Sequence, residues 1–293
     1  MTLHPALGSP VVDRLGPRDV PEVLAFLEDD PVREVYLTAL VLRDALARAT
    51  DAWWGARRDG RLVAILFLGT TSGAVLPAGD DLDALRTLAR ALRNAEDPRP
   101  DRLQLIGPAA AVAAVREVFP GSGWQVRLER EQVYLTLAAE SLTAGEREPA
   151  LRTARREDYA FVYESGADLR AEELLEDPRT TDPIAFARRV EEECRDGWTW
   201  LVRDAQGLAF RAGLSALTRD AAQVSGVYVP PDRRGRGLAT RALRELCARL
   251  FERARHVCLF VNTVNGPAIA VYRRLGFRAH AAWASVFLVR EQP

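Results

Sequence analysis

Apolar residues recur with two different periods along this chain, and the order in which those periods alternate predicts its elements. In the second half, Leu151–Thr153 reads as a short strand, and a helical pattern starts near Glu157. Asp182 precedes a second helix over Pro183–Cys194, where Ile184, Phe186, Val190 and Cys194 fall at near-helical spacing. Trp198–Arg203 and Leu208–Leu217 read as strands about the turn Asp204–Gly207. Gln223–Val229 is a further strand, stopped by Pro230 and Pro231, which have no N–H for a ladder. A helix over Leu238–Arg255, a strand over Val257–Val261, a helix over Pro267–Leu275 and a last strand near Ala282–Val289 follow.

The first half repeats this plan in worn form. Val11–Leu15 leads into a helical pattern, and Trp53–Arg58 with Arg61–Gly69 forms a hairpin about Asp59–Gly60. A strand near Gly73–Leu76, a helix over Leu82–Arg93, a strand over Arg102–Gly107, a small-residue helix over Pro108–Val118 and strands within Gln125–Leu137 come next. The polar stretch before Leu151 reads as a linker. The expected division is a first domain over residues 1–138, a linker over 139–149 and a second domain over 150–293, in keeping with a length of 293 residues.

Composition narrows the classes of function. A formal net charge of −1 gives no global basic field to draw in nucleic acid or an anionic membrane. No apolar run is long enough to span a bilayer, and the start of the chain lacks the pattern of a secretion signal. Cys194, Cys247 and Cys258 are widely spaced, and the three histidines are scattered, so neither a metal site nor a disulfide framework is expected. Free thiols suit a reducing cytoplasm. A monomer or a homodimer fits equally well.

The chemistry concentrates in R-G-R-G-L-A, Arg234 to Ala239, between the strand ending at Val229 and a helix. A helix start exposes backbone N–H groups without partners and carries about half a positive charge. Gly235 and Gly237 let a bulky anion reach that backbone. Arg233, Arg234 and Arg236 put cations at this positive end, where each costs about 0.3–1 kcal/mol unless an anion binds. The turn reads as a phosphate cradle. The chain contains no lysine, which removes a Walker loop. Thr240 stands where a dinucleotide turn needs its third glycine, and the next strand ends in Asn262 rather than a carboxylate.

The spacing of Arg234, Gly237 and Ala239 matches [RQ]-x-x-G-x-[GA], and the chain here resembles the GNAT N-acetyltransferase superfamily. Downstream, Asn265, Ala268, Tyr272, Gly276 and Phe277 match a second motif of that family, N-x-x-A-x-x-x-Y-x-x-x-G-F. Residues 265, 268 and 272 share a helix face, Asn265 suits an N-cap, Pro267 the first turn and Gly276 the position past the end. The resemblance implies an α/β (α+β) fold of tandem GNAT-like domains, similar to two-domain bacterial members with a degenerate first half and an active second half. Each domain is then a mixed, mostly antiparallel sheet flanked by helices, with a splayed parallel strand pair in the C-terminal domain.

The same resemblance implies acetyl-CoA as cofactor and transfer of an acetyl group to a primary amine by direct attack on the thioester. The acceptor, a small molecule or a peptide or protein amine, is not specified. Val227, Tyr228 and Val229 would orient the acetyl and pantetheine parts. Arg234, Gly235, Arg236, Gly237, Leu238, Ala239 and Thr240 would hold the diphosphate, with Asn265, Ala268 and Tyr272 completing the cofactor site. Tyr272 is the implied general acid. The strand before the cradle, A-Q-V-S-G-V-Y-V, has no carboxylate where the family often carries its base. Glu173 and its neighbour Glu172 are candidates, as is water held by Gln223 and Ser225. The first half lacks the cradle, and Asp80, Asp81 and Asp83 at its helix start would repel a diphosphate. A non-catalytic CoA-binding sensor or scaffold is the alternative.

Overall fold

The computed structural model describes residues 8–95, 100–119 and 123–291. Its contacts divide the chain into two compact units, Met1–Tyr134 with Ala281–Pro293, and Leu135–His280.

The first unit runs β1 (Val11–Arg14), α1 (Val20–Leu27), α2 (Val35–Asp44), β2 (Asp51–Arg58), β3 (Arg61–Gly69), β4 (Ala74–Ala78), α3 (Leu82–Asn94), β5 (Arg102–Pro108), α4 (Ala109–Arg116) and the start of β6 (Trp124–Ala138). The β2–β3 hairpin turns on Asp59 and Gly60, both with positive φ, the backbone that a two-residue hairpin of this twist requires. Strand β3 is buried on both faces. Ala64, Leu66 and Leu68 pack with Leu85, Leu88 and Leu92 of α3, while Ile65 and Phe67 pack with Leu37, Leu40 and Val41 of α2. Period-2 alternation therefore feeds two cores from one strand, and each buried leucine contributes about 1.5–3 kcal/mol.

The second unit runs from the end of β6 through β7 (Arg152–Thr153), α5 (Tyr159–Leu174), α6 (Pro178–Thr181), α7 (Pro183–Arg195), β8 (Thr199–Asp204), β9 (Gly207–Leu217), β10 (Ala221–Tyr228), α8 (Leu238–Leu250), β11 (His256–Asn262) and α9 (Gly266–Leu275), into β12 (Arg278–Arg290). Strands β7 to β10 pair antiparallel in order, and β10 pairs parallel with β11. Val162, Phe186, Val190 and Leu201 form a core between α5, α7 and the sheet. Asp158, fully buried before α5, accepts from Arg152 at 2.6 and 3.0 Å, from Arg203 at 2.7 Å and from the Arg155 N–H at 2.9 Å. Its carboxyl is held well below the usual carboxylate range, chiefly by the Arg152 hydrogen bonds.

Two features differ from the sequence reading. The last strand, expected to complete the second half, pairs antiparallel with β5 from Trp283↔Pro108 to Val289↔Arg102, and lies between β5 and β6 in the first unit's sheet. The stretch expected as a linker is packed within the second unit. Arg244 of α8, nearly buried, donates to the carbonyls of Thr143 at 3.0 Å and Glu146 at 2.8 Å, and Thr143 binds the end of α9 through Leu275 and Arg274. Helix α2 is an element the sequence reading did not assign. Among the described residues, no helix is long and apolar enough to cross a membrane, and no group of three or more His, Cys, Asp or Glu could hold a metal ion.

Candidate active site

The site grows out of a failure of strand pairing. Strands β10 and β11 register only at Ala221↔His256, Ala222↔Val257 and Gln223↔Cys258, and beyond Gln223 they no longer pair with each other. On its other side β10 pairs with β9 at Ser225↔Gly213 and next at Tyr228↔Arg211, so Gly226 and Val227 stand opposite Ala212 alone. This is a β-bulge, and Gly226 supplies the positive φ of +56° that it needs. Helix α5 lies over it: a Cβ on Gly226 would sit 3.5 Å from Leu169 Cδ2.

After Tyr228 the chain passes Pro230 and a single 3-10 turn at Pro231–Arg233 to Gly235 and Gly237, whose φ angles are +78° and +73°. Gly237 is the N-cap of α8 and offers no side chain to its first turn. The first bond of that turn runs from Arg241 N–H to the Gly237 carbonyl at 3.2 Å. The N–H groups of Gly235, Arg236, Gly237, Leu238, Ala239 and Thr240 have no acceptor among the described residues. Nothing lies within 4 Å of a Cβ placed on Gly235, and on Gly237 only Arg241 Nη1 comes near, at 3.5 Å. Six consecutive donors thus surround open space at the positive end of a 13-residue helix.

The arginines divide their work. Arg233 is bound to Asp204 at 2.7 and 3.1 Å, a pair that depresses the Asp204 carboxyl. Arg234 donates from Nε to the Val229 carbonyl at 2.9 Å and from Nη2 to both oxygens of Glu172 at 3.0 Å. Arg236 bonds the Asp232 carbonyl at 3.2 Å.

Helix α9 carries the second motif with the expected caps. Asn265 Oδ1 accepts from the Ala268 N–H at 3.2 Å. At the other end Gly276 has φ +102°, the Phe277 N–H reaches the Tyr272 carbonyl and the Gly276 N–H that of Arg273, which closes the helix in a Schellman turn. A Cβ on Gly276 would collide with the Ser141 carbonyl oxygen.

Tyr272 is 5% exposed, with its ring edge-on to Phe277 at 5.7 Å. Its hydroxyl makes no hydrogen bond among the described residues. Burial pushes its pKa up, and the negative charge of Glu173 pushes in the same direction. Glu173, exposed in the last turn of α5, is therefore felt electrostatically at Tyr272. Gln223 is buried, with its carbonyl accepting from Ser215 Oγ at 3.1 Å, and Ser225 is half-buried beside the bulge. In the acidic stretch around α6, Glu164, Asp168 and Asp177 converge on the one guanidinium of Arg179 at 2.7, 3.0 and 2.9 Å.

Strand β4 and helix α3 are the first half's counterpart, and there protein groups fill the turn. Asp81 caps α3 by accepting from the Ala84 N–H at 3.0 Å, and Arg58 binds Asp81 at 3.0 Å. A Cβ on Gly79 would meet the Val63 carbonyl at 2.6 Å.

Residues 209–288 match the family model described as FR47-like protein, a span that holds the bulge, the cradle and α9. None of the curated proteins compared matches the chain. Solved structures similar to the chain include a GCN5-related N-acetyltransferase from Sphaerobacter thermophilus, 16% identical, covering 100% of this chain and 98% of its own, with a TM-score of 0.59. A tandem GNAT protein from the clavulanic acid biosynthesis pathway is 19% identical over 97% of this chain and 99% of its own, with a TM-score of 0.55. A Drosophila protein reaches a TM-score of 0.70 at 14% identity, covering 97% and 100%. At these identities the likeness is one of fold. The chain thus shares the fold of GCN5-related and tandem GNAT structures over nearly its whole length, and its residues 209–288 are similar to the FR47-like family.

Proposed function

We propose that the chain is an acetyl-CoA-dependent N-acetyltransferase whose site lies wholly in the second unit, transferring an acetyl group to a primary amine. The observation that carries this reading is the row of six unanswered N–H groups from Gly235 to Thr240 around a turn left open by two glycines. A diphosphate needs that combination, and no protein group uses it. Bound there, the cofactor would supply an activated acetyl thioester. Arg234 and the amides of residues 235–240 would hold its diphosphate end, and the bulge backbone at Val227–Val229 would orient the rest. Asn265 and Ala268 would fix the start of α9 beside it.

Tyr272 is the general acid in this reading. Its raised pKa keeps it protonated at every physiological pH, and its unengaged hydroxyl is free to donate to sulfur as negative charge develops there. An aliphatic amine must lose a proton before it attacks, at a cost of about 4 kcal/mol at neutral pH. Glu173, exposed in the last turn of α5, is the carboxylate proposed to take that proton, directly or through water. The first unit is read as non-binding, since Asp81 serves the start of α3 and Asp80 and Asp83 flank it.

Titration calorimetry with acetyl-CoA tests the cradle, and release of free thiol in the presence of a panel of amines tests the chemistry. Absence of binding at near-saturating cofactor would overturn the reading. Binding without thiol release from any amine would leave a sensor or scaffold.

A further inference from the structure

The cation best placed to meet a diphosphate already has an anion on it. Arg234 Nη2 lies 3.0 Å from each oxygen of Glu172, and the two residues are 62 positions apart in sequence, one on the turn and one on α5. Nε is committed to the Val229 carbonyl, and the guanidinium sits 5.7 Å from the Tyr228 ring. Arg233 and Arg236 are engaged elsewhere, with Asp204 and the Asp232 carbonyl. The donors of the backbone turn are therefore open, while the side-chain charge beside them is neutralised by a carboxylate of the same protein.

We propose that Glu172 sets the affinity of the cradle for its anion by competing with the diphosphate for Arg234. This rests on the functional reading above and adds a second consequence. When a diphosphate draws on the Arg234 charge, the Glu172 carboxylate is released beside Glu173 in the last turn of α5. It then offers a negative charge to an ammonium group of the acceptor. Cofactor occupancy and recognition of a cationic acceptor are thereby coupled through one ion pair. Glu172 is thus a specificity-determining residue, separate from the proton-transfer role given to Glu173.

The size of the effect follows from exposure. Both side chains are about half exposed, at 49% for Arg234 and 47% for Glu172, so solvent screens the pair. Pairs of this kind are worth roughly 0.2–1 kcal/mol, which limits the gain on removing the competitor to about fivefold in affinity.

The experiment is titration calorimetry of the full chain with acetyl-CoA, and separately with inorganic pyrophosphate as the bare anion. Wild type, Glu172→Gln, Arg234→Gln and the double variant are compared. Glu172→Gln is expected to bind both ligands about twofold to fivefold more tightly, with the gain shrinking as salt is raised. The same change in the Arg234→Gln background is expected to give no gain. Equal or weaker binding by Glu172→Gln overturns the proposal, because a pair that only braces the end of β10 would behave so. A gain that persists undiminished without Arg234 overturns it too, since that is bulk charge rather than competition. If wild type and Glu172→Gln both bind neither ligand, the proposed function fails and this inference with it. If wild type binds and Glu172→Gln shows no gain, only the inference fails.

Discussion

Replacing Tyr272 with phenylalanine separates a catalytic hydroxyl from a packing tyrosine. The ring is buried against Phe277, and the substitution keeps that contact and its area. The hydroxyl has no hydrogen-bond partner among the described residues, so its removal deletes no intramolecular bond. The stability change should stay within about 0.5 kcal/mol, or a shift in Tm of about 2 °C or less for a protein of this size. Acetyl-CoA affinity should be unchanged, because the cradle donors are on another element. Turnover should fall by about 10²-fold or more, some 2.7 kcal/mol of barrier, the usual share of a positioned general acid. The pH profile gives a second readout. Because burial and nearby negative charge raise the pKa of Tyr272 above its ordinary 10.0, the acid stays competent up to at least that pH. Thiol release against pH, with thermal melts on the same samples, measures both. A variant that keeps full kcat, or one that loses several degrees of Tm in step with its activity, refutes the assignment.

Two further substitutions test how the site is held. Gly276→Ala forces a Cβ into the Ser141 carbonyl at a φ of +102°, so it should cost about 3 kcal/mol or more in chemical denaturation; a loss below about 1 kcal/mol would refute the turn geometry. Asp158→Asn leaves Arg152 and Arg203 facing a neutral amide and should destabilise by about 3 kcal/mol. The sign of its pH dependence is fixed: the carboxyl pKa is lowered on folding, so its contribution is complete above about pH 4, the unfolded value, and is lost as pH falls below that. A wild-type-minus-variant stability difference that grew on acidification would contradict this.

The parts of the site that were legible in the sequence are those governed by local rules. Gly235 and Gly237 announce a left-handed turn, Asn265 a cap and Gly276 a helix end, because each acts within four or five residues of itself. The strands and helices of the second half fall close to their expected positions for the same reason. Helix α2 was not legible because V-Y-L-T-A-L-V-L is an almost unbroken apolar run, which carries no clear period. Gly226 left a fainter mark, a lone glycine inside a strand pattern, which is the usual sign of a bulge. The partners of Arg233 and Arg234 lie 29 and 62 residues away, and charge-rich sequence gives no rule for choosing among many carboxylates. The docking of residues 139–149 rests in part on buried Arg244, which by composition reads as an ordinary surface residue.

The placement of β12 has a consequence for how the protein is made. The first half of the chain leaves the ribosome with a gap in its sheet, since the strand between β5 and β6 is encoded after the whole of the second unit. Until β12 has been made, β5 presents an unpaired edge, which is the kind of surface that invites wrong partners. A chain stopped between residue 150 and β12 therefore leaves the N-terminal unit without one strand of its own sheet, besides truncating the C-terminal unit.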